Sequence, residues 1–159
     1  MVDYLKSIGY RVLCIDRDRR CSNYGMTVEM PAGAEDFSGS YDLIDRVNQL
    51  AYADFFIGVS SGLSWLAWTV DIPVVLISGI TDYWYEPASS YRVYNPLVCH
   101  GCFNDRRIDG KKILECVRWT APERRYECST KISPQQVIAA IDQLIADRRL
   151  IPSRERSCL

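Results

Sequence analysis

Two groups of residues in this sequence have types and spacings that can do chemistry. The first is a set of four cysteines, Cys99-x2-Cys102-x13-Cys116-x11-Cys128. A close Cys-x2-Cys pair is the usual metal knuckle, and two more distant thiolates complete a tetrahedral site. Soft thiolates suit zinc or iron, and spacing alone favours zinc. The second pair lacks the tight spacing of a zinc ribbon, so a redox Cys-x2-Cys and ordinary buried thiols stay open as readings. His100, inside the knuckle, reads as a neighbour of the site rather than a ligand. The second group is Val59-Ser60-Ser61-Gly62-Leu63, where an apolar strand meets an apolar helix. Free N–H groups at a helix start, aided by the helix dipole, bind phosphate, and Gly62 lets a ligand approach the backbone. A serine N-cap without any ligand is the plain alternative.

Other polar residues carry less. Glu35-Asp36 reads as a pair of acids ahead of a helix, where they complement its dipole. Asp16, at the end of a strand, reads as a solvated loop acid. Tyr83, Trp84 and Tyr85 form an aromatic loop that covers core or stacks on a ligand. With one histidine in the chain, a nucleophile–His–carboxylate triad has only His100 to draw on. Cys14 reads as a strand core residue, and Cys21 and Cys158 fall in loop and tail.

The elements that must position these groups follow from periodicity. Residues 2–8 form a short amphipathic run stopped by Gly9, and residues 10–16 (YRVLCID) read as a buried strand. Residues 17–25 are polar and irregular, and 26–30 suggest a second short strand. From Tyr41 the pattern is helical, with Leu43, Ile44, Val47, Leu50 and Ala51 on one stripe. Phe55 to Val59 (FFIGV) is a continuous apolar strand of the doubly covered, parallel type. A helix through Leu63, Leu66, Ala67 and Val70 ends at Asp71 and Pro73, and a further strand spans 74–77. This alternation is the signature of an α/β, Rossmann-like domain with a mainly parallel sheet. Residues 91–94 read as a short strand. Between Cys99 and Cys128 periodicity is weak and charge is frequent. Ser133-Pro134-Gln135-Gln136 then opens a helix with Ser at the N-cap, Pro at the first turn and Gln three places on. Its apolar face is Val137, Ile138, Ile141, Leu144 and Ile145.

Taken together these segments resemble the bacterial autotransporter heptosyltransferases, relatives of the lipopolysaccharide heptosyltransferases. The likeness rests on YADFFIGVSSGLSWLAWTVDIPVVLISG (52–79), YRVYNPLVCHGCFND (91–105) and YECSTKISPQQVI (126–138). It implies the C-terminal, donor-binding half of a two-domain GT-B glycosyltransferase. That enzyme transfers heptose from ADP-heptose to serine hydroxyls of autotransporter adhesins. On this reading residues 1–147 are one nucleotide-sugar-binding domain, with a metal finger at about 97–130 and a tail at 148–159. Ser60, Ser61, Gly62 and Leu63 are its donor-binding turn. In the lipopolysaccharide enzymes this turn begins with Asp and carries a His three residues after the Gly, where this sequence has Ser60 and Trp65. The resemblance makes Cys99, Cys102, Cys116 and Cys128 the ligands of one ion and favours iron over zinc. It implies large homo-oligomeric rings, and it leaves the general base in the other half, so no catalytic residue is assigned here.

Composition narrows the alternatives. The 159 residues suffice for one domain, and GT-B architecture needs two, so a fragment or split subunit is expected. Nineteen Lys plus Arg against twenty Asp plus Glu give a net charge of −1, which disfavours a phosphate-backbone binder. No apolar stretch approaches a membrane span, and the N-terminus lacks a basic region followed by an apolar one. A cytoplasmic protein with reduced thiols is the expectation. Two other classes remain: another GT-B sugar-nucleotide enzyme, and a non-enzymatic metal-knuckle module.

Overall fold

The strand at the middle of the chain organises the rest. In the computed structural model, β6 (Val74–Ile77) lies between β5 (Phe56–Val59) and β7 (Tyr91–Val93), parallel to both. The structure describes residues 1–23, 26–88, 90–103, 105, 106, 108, 109, 116, 118 and 121–152. Val74, Val75 and Leu76 are buried on alternate faces, so β6 serves two apolar cores at once. A strand buried on both faces must be covered by helices on both sides.

One core is built from Leu5, Tyr10, Val75, Val93, Val137, Ile141 and Leu144. It is closed by α1 (Val2–Ser7) and by α5 (Pro134–Arg148). The capping signal at Ser133 is realised: Gln136 N–H donates to Ser133 Oγ at 3.3 Å, and Ser133 N–H donates to Gln136 Oε1 at 2.8 Å. The other core holds Leu50, Ala67, Val74 and Leu76, from α2 (Leu43–Ala51) and α3 (Gly62–Thr69). Asp71 takes a left-handed backbone with φ of 61° and ends the α3 connection as expected. The short helix α4 (Glu127–Thr130) precedes α5.

Four local expectations are corrected. Glu35 and Asp36 do not lead into a helix. They form β4, parallel to β1 (Leu13–Cys14), with Arg11 on Glu35 at 2.6 Å and Arg19 on Asp36 at 3.1 Å. Guanidinium pairing on an exposed edge lets two acids adopt strand backbone and holds both carboxyls below their ordinary range, with Arg11 as the main cause at Glu35 and the Ser38 hydroxyl at Asp36. The polar stretch read as irregular contains β2 (Arg20–Asn23), which pairs antiparallel with β3 (Met26–Glu29) as a hairpin. On α2, Leu43 and Ile44 are both 66% exposed, and the inward positions belong to Leu50 and to Arg46. The strand β5 is partly rather than fully buried, because its edge away from β6 carries no partner strand among the described residues.

Arg46 explains its own burial. Its guanidinium donates to the carbonyls of Phe37 (2.9 Å), Asp16 (3.2 Å) and Gly39 (2.8 Å) and to Gln49 Oε1 (2.7 Å). One side chain thus fastens the loops that follow β1 and β4 to α2, and Tyr41 stacks beneath it at 4.5 Å. Replacing Arg46 with Met keeps the aliphatic stem and removes the guanidinium from all three carbonyls, of which Asp16 and Gly39 still accept from the Gly39 and Tyr41 amides. Chemical denaturation should show a loss of about 3 kcal/mol, since each charge-assisted bond contributes roughly 1.5–3 kcal/mol and water recovers part. An unchanged midpoint would show that these loops are held by other contacts.

Candidate functional site

Ligands of open α/β sheets sit at the carboxyl ends of the parallel strands. Here that edge carries both sequence-selected groups. After Val59 the chain turns through Ser60 and Ser61, and α3 begins at Gly62. Ser64, fully buried, locks the turn: its hydroxyl accepts from Ser61 N–H at 3.0 Å and donates to Ser61 C=O at 2.8 Å. The Ser61 amide is therefore engaged within the protein. The Gly62 and Leu63 amides lie in the first turn, where no preceding helical carbonyl exists to accept from them. A Cβ built on Gly62 meets nothing within 4 Å, and its backbone is not left-handed. Gly62 is thus not required by folding, and the space above it is open. Trp65 and Trp68, both exposed, stand edge-to-face on the same helix with centroids 5.8 Å apart.

At the end of β6 a buried carboxylate organises the neighbouring loop, a feature the sequence reading passed over. Glu86 accepts from the Ser78 hydroxyl, from Thr81 Oγ1 at 2.6 Å and from Arg92 Nε at 2.7 Å. Its side chain is 3% exposed. Two hydroxyls and a guanidinium satisfy a charge that would otherwise be costly to bury. The bond set holds residues 78–92 as a tight excursion in which Tyr83–Tyr85 form an exposed 3₁₀ turn. The Arg92 guanidinium lies 4.3 Å above the Tyr94 ring, and Tyr94 meets the His100 ring edge-on at 5.5 Å. This ring contact, with His100 Nδ1 3.3 Å from the Val98 carbonyl, turns the histidine to a structural neighbour's role.

The knuckle is fastened to the same strand end. Gly101 N–H donates to Gly79 C=O at 3.1 Å, and Phe103 N–H to Ile80 C=O at 2.7 Å. Gly101 is left-handed, with φ of +69°, and a Cβ there would lie 3.1 Å from the Asp82 carboxylate. From the other side α4 presses on Gly79, whose Cβ would sit 2.8 Å from Ser129 Oγ and 3.3 Å from the Cys128 carbonyl. Cys99 and Cys102, flanking Gly101, and Cys128 on α4 are thus brought to one place. Burial is the main cause that pushes the Cys102 thiol up, and Cys128 and Cys99 add to it. Burial likewise raises Cys128, reinforced by Cys99 and Cys116. Cys128 is thus the thiol that the other three surround electrostatically. Among the described residues no group of three or more His, Cys, Asp or Glu side chains reaches metal-ligand geometry. The donor types themselves fit a soft ion: four thiols, with no carboxylate among them. Cys14 and Cys21 lie apart on β1 and β2, and Cys158 lies outside the described residues.

Asp16, exposed, accepts from the Arg17 N–H at 2.7 Å, as a loop acid does. Among the described residues no helix is long and apolar enough to cross a membrane.

Comparison with known proteins shows what the chain is similar to. No protein-family model matches the chain. The autotransporter heptosyltransferase BAHTCr of Citrobacter rodentium is 45% identical over all of this chain, which spans 39% of that protein. The autotransporter heptosyltransferase TibC of Escherichia coli is 44% identical over 91% of the chain and 36% of its own length. The crystal structure of TibC, an iron-containing dodecameric glycosyltransferase, superposes with a TM-score of 0.85 over 92% of this chain and 39% of the other. A second TibC structure holds ADP-D-β-D-heptose. The inactive autotransporter heptosyltransferase BimC of Burkholderia thailandensis is 33% identical over 84% of the chain, and 32% of its own length is matched. The chain spans about two fifths of the length of BAHTCr and TibC.

The three glycines separate folding from access. Gly101→Ala should lower stability by about 2 kcal/mol, because it strains a left-handed backbone and crowds Asp82. Gly79→Ala should cost about as much by overpacking against α4. Gly62→Ala, in the first turn of α3, should leave the thermal midpoint unchanged or slightly raised. Equal losses at all three positions would contradict this division.

Proposed function

Because this chain belongs to the autotransporter heptosyltransferase family, we propose that it is the donor-binding part of a glycosyltransferase transferring heptose from ADP-heptose to serine hydroxyls of autotransporter adhesins. The observation that carries the reading is the open first turn of α3 at the carboxyl end of β5. It sits in a fold that superposes closely on a glycosyltransferase seen with ADP-D-β-D-heptose. The Gly62 and Leu63 amides, with the Ser60 and Ser61 hydroxyls, face the donor pyrophosphate, and the α3 dipole favours its charge. As the glycosidic bond to ADP breaks, negative charge builds on the departing phosphate, and fixed N–H donors stabilise it without reorganising. The group that takes the proton from the acceptor serine belongs to the part of the relatives that this chain does not span. Residues 1–147 form one nucleotide-sugar-binding domain in this reading, with a cytoplasmic setting and a homo-oligomeric parent enzyme, as the dodecameric TibC supports.

Cys99, Cys102, Cys116 and Cys128 hold one ion, with iron favoured by the iron-containing TibC and zinc the alternative. Four protein thiolates leave no open position, so the ion is structural: it fastens residues 97–130 to the end of β6 and takes no part in sugar transfer.

Binding and turnover are separate readouts, a distinction that the inactive BimC makes necessary. Calorimetry with ADP should show binding by the 159-residue chain that weakens about tenfold in Gly62→Val, where a branched side chain fills the space above the turn. Equal affinity would remove the turn from the donor site, and sustained heptose transfer by this chain alone would sink the partial-enzyme reading. For the metal, protein purified without added ions should lose bound iron or zinc on Cys→Ser exchange at 99, 102, 116 or 128, and keep it on exchange at 14, 21 or 158. Full occupancy in Cys116→Ser and Cys128→Ser would remove the distant pair from the ligand set.

A further inference from the structure

The segment that carries the four cysteines leaves the sheet after β7 and returns to it at α5, and one side chain touches both of its ends. Asn95 Oδ1 accepts from the Leu97 N–H at 2.9 Å, and Asn95 Nδ2 donates to the Lys131 C=O at 3.0 Å. Leu97 stands two residues before Cys99, and Lys131 three residues after Cys128. Both bonds are exposed, so their effect is to join two segments rather than to satisfy buried groups.

Local chemistry explains why an asparagine does this. A residue before proline is kept out of helical backbone, and Asn-Pro starts a turn in which the side-chain oxygen takes the amide two places on. Once Leu97 occupies Oδ1, the planar amide aims Nδ2 away from the turn, at a carbonyl 36 positions along the chain. That carbonyl closes α4: Lys131 is the C-cap, and carbonyls at a helix end have no partner inside the helix. A second set of contacts, at Gly79, receives the Gly101 amide and the backbone of Cys128. Cys99 therefore lies between two held residues, Leu97 and Gly101, and Cys128 lies between its own contact with Gly79 and the bond at Lys131. Protein groups alone make all of these contacts.

We propose that Asn95 is the positioning residue of the cysteine finger. By bridging Leu97 and Lys131 it sets the separation of Cys99 from Cys128 and so raises the affinity of the thiols for a soft ion. It is not a ligand. It acts by restricting, before the ion arrives, the configurational freedom that binding must remove. The proposal rests on the reading of the four cysteines as one metal site, and it falls if that reading falls.

The test compares the 159-residue chain with Asn95→Asp, Asn95→Ala, Cys128→Ser and Arg46→Met. Each is freed of metal under reducing conditions and titrated with zinc and with cobalt(II) against a chromophoric chelator. Asn95→Asp keeps the Leu97 turn, since a carboxylate oxygen still accepts, and loses the donor to Lys131. Its affinity should fall about fivefold, the factor that one ordinary hydrogen bond supplies. Asn95→Ala removes both bonds and should fall at least as far. At saturation both should keep the wild-type thiolate-to-cobalt absorption, because every ligand remains, whereas Cys128→Ser should lose part of it. Arg46→Met, weakened at loops that carry none of the four cysteines, should bind as wild type does and so controls for lost stability alone. In the metal-free chains, the Thr130 and Lys131 amides, bonded within α4, should exchange about fivefold faster in Asn95→Asp. Wild-type affinity in Asn95→Asp, unchanged α4 exchange, or an equal loss in Arg46→Met would overturn the proposal and leave the metal reading standing. A wild-type chain that takes up neither ion would overturn both. Cys128→Ser that binds and absorbs like wild type would remove Cys128 from the ligand set, and the role of Asn95 with it.

Discussion

Burying one parallel strand on both faces is the constraint from which the rest follows. Val74, Val75 and Leu76 cannot reach water, so each face needs its own helical layer and each edge its own strand. The helices α1 and α5 close one side, α2 and α3 the other. The carboxyl end of that strand is then held by several separate contacts. Ser78 enters the Glu86 network there, Gly79 receives the knuckle and α4, and Ile80 accepts from Phe103. The turn that opens α3, one strand away, and the thiol group are both positioned against this end.

The two sites differ in how they use glycine. At Gly79 and Gly101 the missing side chain is a packing necessity, imposed by Ser129 and by Asp82. At Gly62 nothing in the fold demands its absence. A glycine that folding does not need, above two helix-start amides, is the pattern expected where a ligand is the missing neighbour. The buried Ser64 completes the division, since it takes the Ser61 amide into the structure and leaves the next two outward.

Much of this was legible in the sequence, and the failures have physical causes. Ser133 to Gln136 and Asp71-x-Pro73 mark helix ends through local backbone chemistry, so they were readable without tertiary information. The turn at Ser60–Gly62 follows from an apolar run that changes period from strand to helix. Leu43 and Ile44 misled because a stripe count credits apolar type and cannot see that Arg46 turns inward to three loop carbonyls. β1 and β4, only two residues each, depend on a partner more than twenty positions away and on Arg11 and Arg19 to neutralise acids. The Glu86 network was hidden for a similar reason: Ser78, Thr81, Glu86 and Arg92 have no shared period, and only folding makes them neighbours.

The contacts at Gly79 also bear on how the chain gets home. Helix α5 supplies Val137, Ile141 and Leu144 to a core begun by Leu5, Tyr10 and Val75, so it must return after a long excursion from Val93. A wandering segment from 94 to 133 resists that return through its lost configurational freedom. The Gly101 and Phe103 bonds and the α4 contact divide it into shorter closures, each anchored on a strand already in place. Because closure entropy scales with the logarithm of length, cutting the longest free span to about two thirds relieves roughly 0.5 kcal/mol. The bonds at Gly79 and Ile80 thus take up slack chain, and α5 docks as the end of a sequence of shorter searches instead of one long one.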